Sequence, residues 1–280
     1  MTFLELFNAP VTITRDIPYL DDGHPRHRLD VYAPADANGL PVTLWLYGGG
    51  WRSGDKRLFE HLGRAFAVRG IVTVAVNYRL TPEATHPDHV RDCSAALEWT
   101  YRNIAEYGGD PKRIFLSGHS AGAHLASLLA LDPKYRKERD LPDDVVKGVV
   151  ALSGATDLNA HVESTKFTSR EHIEQAFGDE EHELADASPL THAIDRSIDP
   201  PPFMIIVAEH DPESLRAQAK ALSEALRDVD GAARFVSVNG RDHFTIVRRF
   251  GPDDDAAANA AGEFINAVAG RLASGSSARS

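Results

Sequence analysis

The sequence predicts an α/β fold with a mostly parallel central sheet and helices on both of its faces. Short runs of β-branched and apolar residues alternate regularly with longer segments of helical spacing, which is typical of strand–helix–strand units. The apolar runs are nearly continuous, as expected for strands buried on both faces. With 280 residues, of which 42% are hydrophobic, the chain is long enough for one large domain.

The predicted strands are four to eight residues long and are bounded by glycine, proline, aspartate or asparagine. They lie at Val42–Tyr47, Ile71–Asn77, Ile114–Ser117, Val145–Leu152, Phe203–Ala208 and Arg234–Val238. The predicted helices are Leu58–Val68, His89–Tyr107, Ala121–Leu131, Glu213–Val229 and Ala256–Leu272. Upstream of these elements, Val11–Ile17 and Arg28–Tyr32 are expected to form an antiparallel pair that leads into the parallel part.

Two segments do not follow this alternation. His161–Pro202 is polar, rich in histidine and glutamate, and ends in three prolines. We interpret it as an excursion above the sheet with short helices around Arg170–Phe177, and both a lid over a site and a solvated surface loop remain open. Residues 1–272 are expected to form a single domain, and the low-complexity tail Ala273–Ser280 is expected to be disordered.

Charge and cysteine content exclude several classes of function. Asp and Glu number 41 against 30 Lys and Arg, a net charge of −11, so neither nucleic acid nor an anionic membrane is an expected partner. Met1–Leu20 does not look like a signal peptide, and no segment suits a membrane span. The single Cys93 excludes an internal disulfide and a multi-cysteine metal site. We expect a cytoplasmic protein without metal or other cofactor, and its oligomeric state, a homodimer included, is left open.

The strongest functional signal is Gly118-His119-Ser120-Ala121-Gly122, which matches G-x-S-x-G between a predicted strand and a predicted helix. A serine on so sharp a turn needs neighbours without Cβ atoms two positions before and two after it. The turn directs the hydroxyl to solvent and places the N–H groups of the helix start beside it. The motif therefore predicts a nucleophilic Ser120, with a packing turn of small residues as the alternative.

A second signal is the glycine run within Tyr47–Trp51, directly after a predicted strand. Three glycines allow the backbone to pass very close to a ligand or another loop. Gly49–Gly54 has the spacing of a phosphate loop, but Asp55 stands where that motif requires lysine, and an acidic side chain would repel phosphate. We therefore interpret the run as a source of N–H donors for an oxyanion.

A serine nucleophile also needs a base and usually an acid. His243 is the best candidate base because it lies in a loop after the predicted strand Arg234–Val238. Asp211 follows the predicted strand Phe203–Ala208, and catalytic groups of open α/β sheets gather at such carboxyl ends. Asp157 also follows a predicted strand and is the alternative acid.

Together these motifs resemble the α/β-hydrolase superfamily, and within it the hormone-sensitive-lipase-like carboxylesterases and the kynurenine formamidase-like esterases. The resemblance covers roughly residues 25–270 and is carried by YGGGW at 47–51, NYRLTPE at 77–83, GGDPKRIFLSGHSAGAHLA at 108–126, AEHD at 208–211 and DHF at 242–244. It implies the α/β-hydrolase fold, with Ser120 as nucleophile, Asp211 as acid and His243 as base. It also implies that the backbone N–H groups of Gly49, Gly50 and Ala121 are the oxyanion donors.

Two features depart from the family pattern. Tyr47 stands where the family usually has a histidine that holds the glycine loop in shape, and the short N-terminal region leaves little material for a large cap. The short N-terminal region favours the compact branch of kynurenine formamidase-like and small esterases, with a relatively open site. Aromatic residues next to the predicted site suggest an apolar or aromatic substrate pocket; they are Trp51, Tyr78, His119 and Phe244.

The expected activity is that of a serine carboxylesterase that hydrolyses small to medium carboxylic esters through an acyl-enzyme. Its expected partner is a small-molecule ester or amide. An arylformamidase that uses the same three side chains on an N-formyl group remains an alternative, as does a non-catalytic small-molecule binder. Substrate identity and acyl-chain preference cannot be read from the sequence.

Overall fold

A computed structural model of the chain describes residues 1–164, 169–195, 199–227 and 233–277 and is built around one eight-stranded sheet. Its strands are β1 (Val11–Pro18), β2 (Arg28–Pro34), β3 (Leu40–Leu46), β4 (Val72–Val76), β5 (Gly109–His119), β6 (Val146–Leu152), β7 (Phe203–His210) and β8 (Ala233–Asp242). They are ordered β1-β2-β4-β3-β5-β6-β7-β8. The first pairings, β1 with β2 and β2 with β4, are antiparallel, and all the others are parallel. The predicted mostly parallel sheet with an antiparallel entry is therefore confirmed.

Helices connect the strands and cover the sheet. They are α1 (Phe3–Asn8), α2 (Glu60–Ala67), α3 (Asp88–Asn103), α4 (Ala121–Leu131), α5 (Lys134–Lys137), α6 (Leu158–Ser164), α7 (Arg170–Phe177), α8 (Glu181–Asp186), α9 (Pro189–Asp195), α10 (Glu213–Arg227), α11 (Thr245–Arg248) and α12 (Ala256–Ser277). Short 3-10 turns precede α2 at Lys56–Phe59 and follow α3 at Ile104–Tyr107. No helix in the described part of the chain is both long and apolar enough to cross a membrane.

The core is divided by the sheet because successive side chains of a strand point to opposite faces. On β7, Ile205 packs in one buried cluster, with residues of α3, α4 and α10, whereas Ile206 packs in the other, with residues of α2 and α12. Leu116 and Phe115 of β5 divide in the same way. Burying both faces explains the continuous apolar runs and confirms the prediction of helices on both faces.

The strands next to the candidate site are longer than predicted. Strand β8 includes residues 239–242, which the sequence placed in a loop, and β7 runs on to His210. The two strands pair to the end, where His210 lies opposite Asp242 after a shift in register. β8 is an edge strand with many exposed side chains, so its last residues lack the apolar pattern by which the inner strands were found.

The end of helix α12 differs from the prediction. Helix α12 continues to Ser277, beyond the predicted end at Leu272, so residues 273–277 are helical where a disordered tail was expected. The Ser274 hydroxyl donates to the carbonyls of Gly270 and Arg271, at 3.0 and 3.1 Å, which satisfies acceptors near the helix end. Residues 278–280, and Val229 at the predicted end of α10, lie outside the described residues.

Helices α6–α9 form the excursion between β6 and β7, and α7 confirms the helix predicted at Arg170–Phe177. The excursion is packed onto the rest of the molecule. The Phe177 ring lies 4.8 Å from that of Trp51 and 5.3 Å from that of His124, both nearly perpendicular to it. The backbone N–H of His86 donates to the carbonyl of Ala176. The described part of the excursion is therefore a docked layer and not a solvated loop.

A group of rings, all buried except the partly buried His86, lies under this layer, and we name it the histidine–aromatic cluster. It consists of Trp51, His86, His89, His124, His161 and Phe177. Burial lowers the pKa of His86, His89 and His161 to about 4 and that of His124 to about 3. In the first three, Nδ1 has no hydrogen-bond partner among the described residues. All four imidazoles are therefore neutral near pH 7.

This cluster predicts that the fold loses stability in mild acid. In the unfolded chain, histidines bind protons near pH 6.5, whereas the folded cluster resists protonation down to about pH 4. The unfolded state therefore binds more protons in this window, so the free energy of unfolding falls as the pH falls from 6.5 towards 4. Urea unfolding measured at several pH values checks this expectation.

A matched pair of variants assigns the effect to the cluster. Replacing His89 by glutamine should make the unfolding free energy less dependent on pH, by up to about 1.4 kcal/mol per pH unit. The same replacement at His182, which is exposed on α8, should leave the dependence unchanged. An unfolding free energy that stays constant between pH 7 and pH 5 in the unmodified protein would contradict the account.

Candidate active site

Ser120 lies on the turn between β5 and α4, at φ 52° and ψ −120°. A non-glycine residue at positive φ is costly and persists only where the surrounding structure imposes it. Here the Ser120 N–H donates to the carbonyl of Leu152 at 2.9 Å, and the Ser120 carbonyl accepts from the His124 N–H at 3.0 Å. These bonds tie the strained turn to β6 on one side and to α4 on the other.

The glycines of the motif have the steric role that their spacing predicts. A Cβ atom on Gly118 would lie 2.4 Å from the carbonyl carbon of Gly122, and one on Gly122 would lie 2.0 Å from the carbonyl oxygen of Leu46. Both distances are far below van der Waals contact. The close approach of Gly122 brings the end of β3, and with it the glycine loop, directly against the serine turn.

The structure brings together the three predicted catalytic side chains. Nε2 of His243 lies 3.0 Å from Oγ of Ser120, and Nδ1 of His243 lies 2.8 Å from Oδ1 of Asp211. His243 and Asp211 directly follow the neighbouring strands β8 and β7. Asp157, the alternative acid, instead accepts a hydrogen bond from the N–H of Ala160 at the start of α6.

Asp211 is held in its ionised form. Burial raises its pKa, but hydrogen bonds from His243, from the Ser153 hydroxyl at 2.6 Å and from the Ala208 N–H at 2.7 Å outweigh burial and lower the pKa below the ordinary value. An ionised carboxylate accepts a hydrogen bond from Nδ1–H of the imidazole, which leaves the Nε2 lone pair directed at the Ser120 hydroxyl. The hydrogen-bonded order is therefore the one that a general base requires.

Ser153 is a site residue that the sequence analysis missed. It directly follows β6, at positive φ (49°), and its N–H donates to the carbonyl of Ile206 at 2.8 Å. The sequence did carry a signal for Ser153, because it directly follows a central strand, as the other site residues directly follow theirs.

His119 supports the backbone of His243. Its Nε2–H donates to the His243 carbonyl at 2.8 Å, and the two rings lie 4.8 Å apart. Burial lowers the pKa of His119 to about 3, so its ring is neutral and places no competing positive charge beside the imidazole of His243. It also lines the cavity, as predicted.

The glycine loop, which comprises residues 47–54 after β3, is placed to supply hydrogen-bond donors. Gly49 and Gly50 have φ values of 142° and 59°, and the Gly49 carbonyl accepts from the backbone and side chain of Ser53 at 3.1 and 3.0 Å. The N–H groups of Gly49, Gly50 and Ala121 have no hydrogen-bond acceptor in the described part of the chain. Three donors are thus available beside Ser120.

Tyr47 occupies the position at which the resemblance implied a histidine. Its ring stacks on that of Tyr78 at 4.7 Å and on that of Phe59 at 5.9 Å, and its hydroxyl accepts a hydrogen bond from Arg26. The Arg26 guanidinium also donates to the carbonyls of Tyr78 and Gly54, at 2.7 and 3.0 Å. The arginine therefore holds both ends of the glycine loop, a role for which the sequence carried no signal.

The predicted pocket residues divide into two pairs. His119 and Phe244 line a cavity of about 620 Å³ above Ser120. Trp51 and Tyr78 do not line it, because both are fully buried. The Trp51 indole N–H donates to Nδ1 of His124 at 3.2 Å, and the Tyr78 hydroxyl donates to the Tyr47 carbonyl at 2.8 Å. The Tyr78 ring packs against Tyr47, and the Trp51 ring packs against His124 and Phe177, so placing them in the pocket was wrong.

Other walls of the cavity were not predicted. Apolar side chains come from Leu58, Phe59 and Val247, and His172 of α7 also lines the cavity. The excursion thus contributes to the cavity wall through His172 of α7.

A possible metal-binding group lies elsewhere in the fold. Among the described residues, ligand atoms of Asp132, Asp186 and His192 lie within 4.8 Å of one another. However, the Lys134 ammonium lies 2.9 Å from the carboxylate of Asp132 and 2.8 Å from that of Asp186. A bound cation would have to displace this lysine, so the group is better explained as an ion-pair network.

Comparison with known sequences places the chain in a family. The family model described as BD-FAE matches residues 29–226. Among curated proteins, the probable carboxylic ester hydrolase LipM of Mycobacterium tuberculosis is 35% identical over 76% of this chain and 52% of its own length. Isoprenylcysteine alpha-carbonyl methylesterase ICME of Arabidopsis thaliana is 31% identical over 82% of this chain and 56% of its own length. The chain thus spans about half the length of the curated relatives it matches.

Solved structures share the fold over nearly the whole chain. Esterase B from Lactobacillus rhamnosis superposes with a TM-score of 0.84 at 19% identity and covers 98% of this chain and 94% of its own. The hyperthermophilic esterase from the archaeon Pyrobaculum calidifontis has a TM-score of 0.76 at 26% identity, with 96% and 89% covered. The chain therefore belongs to the BD-FAE family and has the α/β-hydrolase fold.

Proposed function

We propose that this protein is a serine carboxylesterase that hydrolyses small to medium carboxylic esters. The observation that carries the proposal is the continuous hydrogen-bonded chain from Ser120 through His243 to Asp211, at 3.0 and 2.8 Å. It stands beside three backbone N–H groups without partners in the described structure. The esterase names of relatives and structural neighbours support the same reaction class.

The first half of the reaction forms an acyl-enzyme. Nε2 of His243 takes the hydroxyl proton as Oγ of Ser120 bonds to the ester carbonyl carbon, and the carbonyl π electrons move to oxygen. The N–H groups of Gly49, Gly50 and Ala121 donate to this oxyanion, each worth about 3 kcal/mol in comparable sites. The intermediate then collapses, the carbon–alkoxy bond breaks, and His243 returns the proton to the departing alcohol.

The second half releases the acid. Water attacks the acyl carbon while His243 accepts one of its protons, and the resulting intermediate expels Oγ of Ser120, which regains a proton from His243. In both halves the ionised Asp211 stabilises the imidazolium and keeps Nδ1 protonated. Since Asp211 is buried, this attraction is less screened than it would be in water.

Two alternatives to the esterase proposal remain, an arylformamidase and a non-catalytic binder. An arylformamidase would use the same atoms on an N-formyl group, so rates on p-nitrophenyl acetate and on an N-formyl aromatic amine distinguish the two. A non-catalytic binder is disfavoured by the complete hydrogen-bonded chain.

A cytoplasmic location, compatible with the single buried Cys93, stays a prediction.

Replacing Ser120 by alanine removes the proposed nucleophile without adding bulk. We expect kcat on p-nitrophenyl acetate to fall by about 10⁵–10⁶-fold while the circular dichroism spectrum is retained. Ser127 of α4, the helix that follows Ser120, provides a control, because it is buried and its hydroxyl lacks a partner among the described residues. The Ser127→Ala variant should keep its activity, and near-normal turnover in Ser120→Ala would falsify the proposal.

Replacing Tyr47 by phenylalanine tests how the glycine loop is held. The variant keeps the ring stacking but leaves Arg26 without one acceptor, so we expect a loss of about 1–3 kcal/mol in unfolding free energy. Because the loop carries two oxyanion donors, kcat should fall more than KM changes. Urea unfolding and steady-state kinetics measure both effects.

Tyr107 is a suitable control for this experiment. It is half-buried beside Trp99 at a ring distance of 5.7 Å, and its hydroxyl has no hydrogen bond among the described residues. Tyr107→Phe should therefore leave stability and kcat nearly unchanged. Equal effects at the two positions would contradict the anchoring role of Tyr47.

A further inference from the structure

The cavity above Ser120 differs in charge from the protein as a whole. The chain has an excess of acidic residues, 41 against 30 basic ones. Yet no aspartate or glutamate lines the cavity in the described part of the chain, whereas two arginines, Arg52 and Arg248, do. The entrance to the candidate active site is therefore positive on a negatively charged molecule.

Arg52 belongs to the glycine loop itself. Its backbone N–H donates to the carbonyl of Gly49 at 3.3 Å, and its side chain is exposed without an ion-pair partner among the described residues. The nearby acid Asp55 is engaged elsewhere, since its carboxylate accepts from the Asn77 amide and from the Arg57 N–H, each at 2.9 Å. The guanidinium of Arg52 is thus available to a ligand.

Arg248 lies on α11, five residues after His243. The central carbon of its guanidinium is 5.6 Å from the centroid of the Phe244 ring, and no described acidic residue pairs with it. The nearby acid Asp242 accepts from the N–H groups of Phe244 and Thr245, at 2.9 and 2.8 Å. The aromatic ring therefore positions this arginine at the cavity without neutralising it.

Apolar surface accompanies the two charges. Leu58 is 67% exposed and Phe244 is 47% exposed, although both are large apolar side chains, and both line the cavity. Such a mixture suits a ligand with an apolar body and one anionic group. A charged entrance of one sign also raises the local concentration of ions of opposite charge.

We propose that the site prefers esters that carry a carboxylate in addition to the ester group, with Arg52 and Arg248 as the residues that bind it. The inference rests on the proposed esterase function and specifies its substrate class. The carboxylate lies on the acyl side or on the alcohol side of the ester, and the experiment addresses both.

The test compares esters that differ only in this charge. On the acyl side, mono-4-nitrophenyl adipate is compared with the corresponding primary amide, 4-nitrophenyl adipamate. On the alcohol side, 4-acetoxybenzoate is compared with 4-acetoxybenzamide. At low ionic strength we expect kcat/KM for the carboxylate to exceed that for the amide about five- to twentyfold in at least one pair, and the ratio to fall in 0.5 M salt because exposed charges are screened.

Variants then assign the preference to the arginines. Arg52→Gln and Arg248→Gln should each lower the carboxylate-to-amide ratio about two- to fivefold. Arg249→Gln is the matched control, because Arg249 is the exposed residue next to Arg248 in the sequence but does not line the cavity. This variant should leave the carboxylate-to-amide ratio unchanged. Melting temperatures of all three variants should equal that of the unmodified protein.

The possible results are distinct. The preference for a carboxylate is overturned if the carboxylate-to-amide ratio of kcat/KM is near one in both pairs, or if neither cavity arginine alters it. In either case the esterase proposal stands as long as the ester bonds of the amide-bearing compounds are hydrolysed. If none of the four compounds is hydrolysed by the unmodified protein, the esterase proposal fails, and the inference fails with it.

Discussion

The close packing of the serine turn against the end of β3 is the constraint on which the site depends. The Gly122 Cα faces the Leu46 carbonyl so closely that a Cβ atom would stand 2.0 Å from that oxygen. Only this approach allows the glycine loop to lie next to Ser120, whose positive φ directs its hydroxyl to the same space. A larger residue at Gly118 or Gly122 would push the Ser120 turn away from the glycine loop, because backbone atoms cannot move aside as a flexible side chain can.

Electrostatics then determine what this geometry can do. The carboxylate of Asp211 keeps its charge in a buried position because Ser153 and Ala208 donate to the oxygen that His243 does not use. His119 and the histidines of the histidine–aromatic cluster are neutral because burial is the largest influence on each of them and lowers their pKa. The imidazole of His243 thus lies between the anionic Asp211 and the neutral ring of His119, an arrangement that stabilises a transient positive charge on it.

Much of this could be predicted from the sequence because it depends on local rules. The inner strands are continuous apolar runs, and the glycines around Ser120 reflect a turn that few other residues allow. Asp211 and His243 were found because each follows a strand in the expected order. The sequence also marked the glycine loop after β3, since three consecutive glycines allow a close backbone approach that few other sequences allow.

The remainder depends on contacts between distant parts of the chain. Arg26 reaches the glycine loop from a segment before β2, and nothing in its own surroundings in the sequence marks it. Trp51 and Tyr78 were placed in the pocket because adjacency in sequence does not tell which face of the loop a ring packs on. The length of β8 was hidden for a related reason, since an edge strand carries polar residues on its exposed side.

The most direct test of the central claim is the structure of the protein after reaction with a small alkyl p-nitrophenyl phosphonate, which forms a tetrahedral adduct with an activated serine. We expect phosphorus bonded to Oγ of Ser120, with the phosphoryl oxygen about 3 Å from the N–H nitrogens of Gly49, Gly50 and Ala121. Failure of the folded protein to form the adduct, or an adduct whose phosphoryl oxygen points away from these groups, would contradict it.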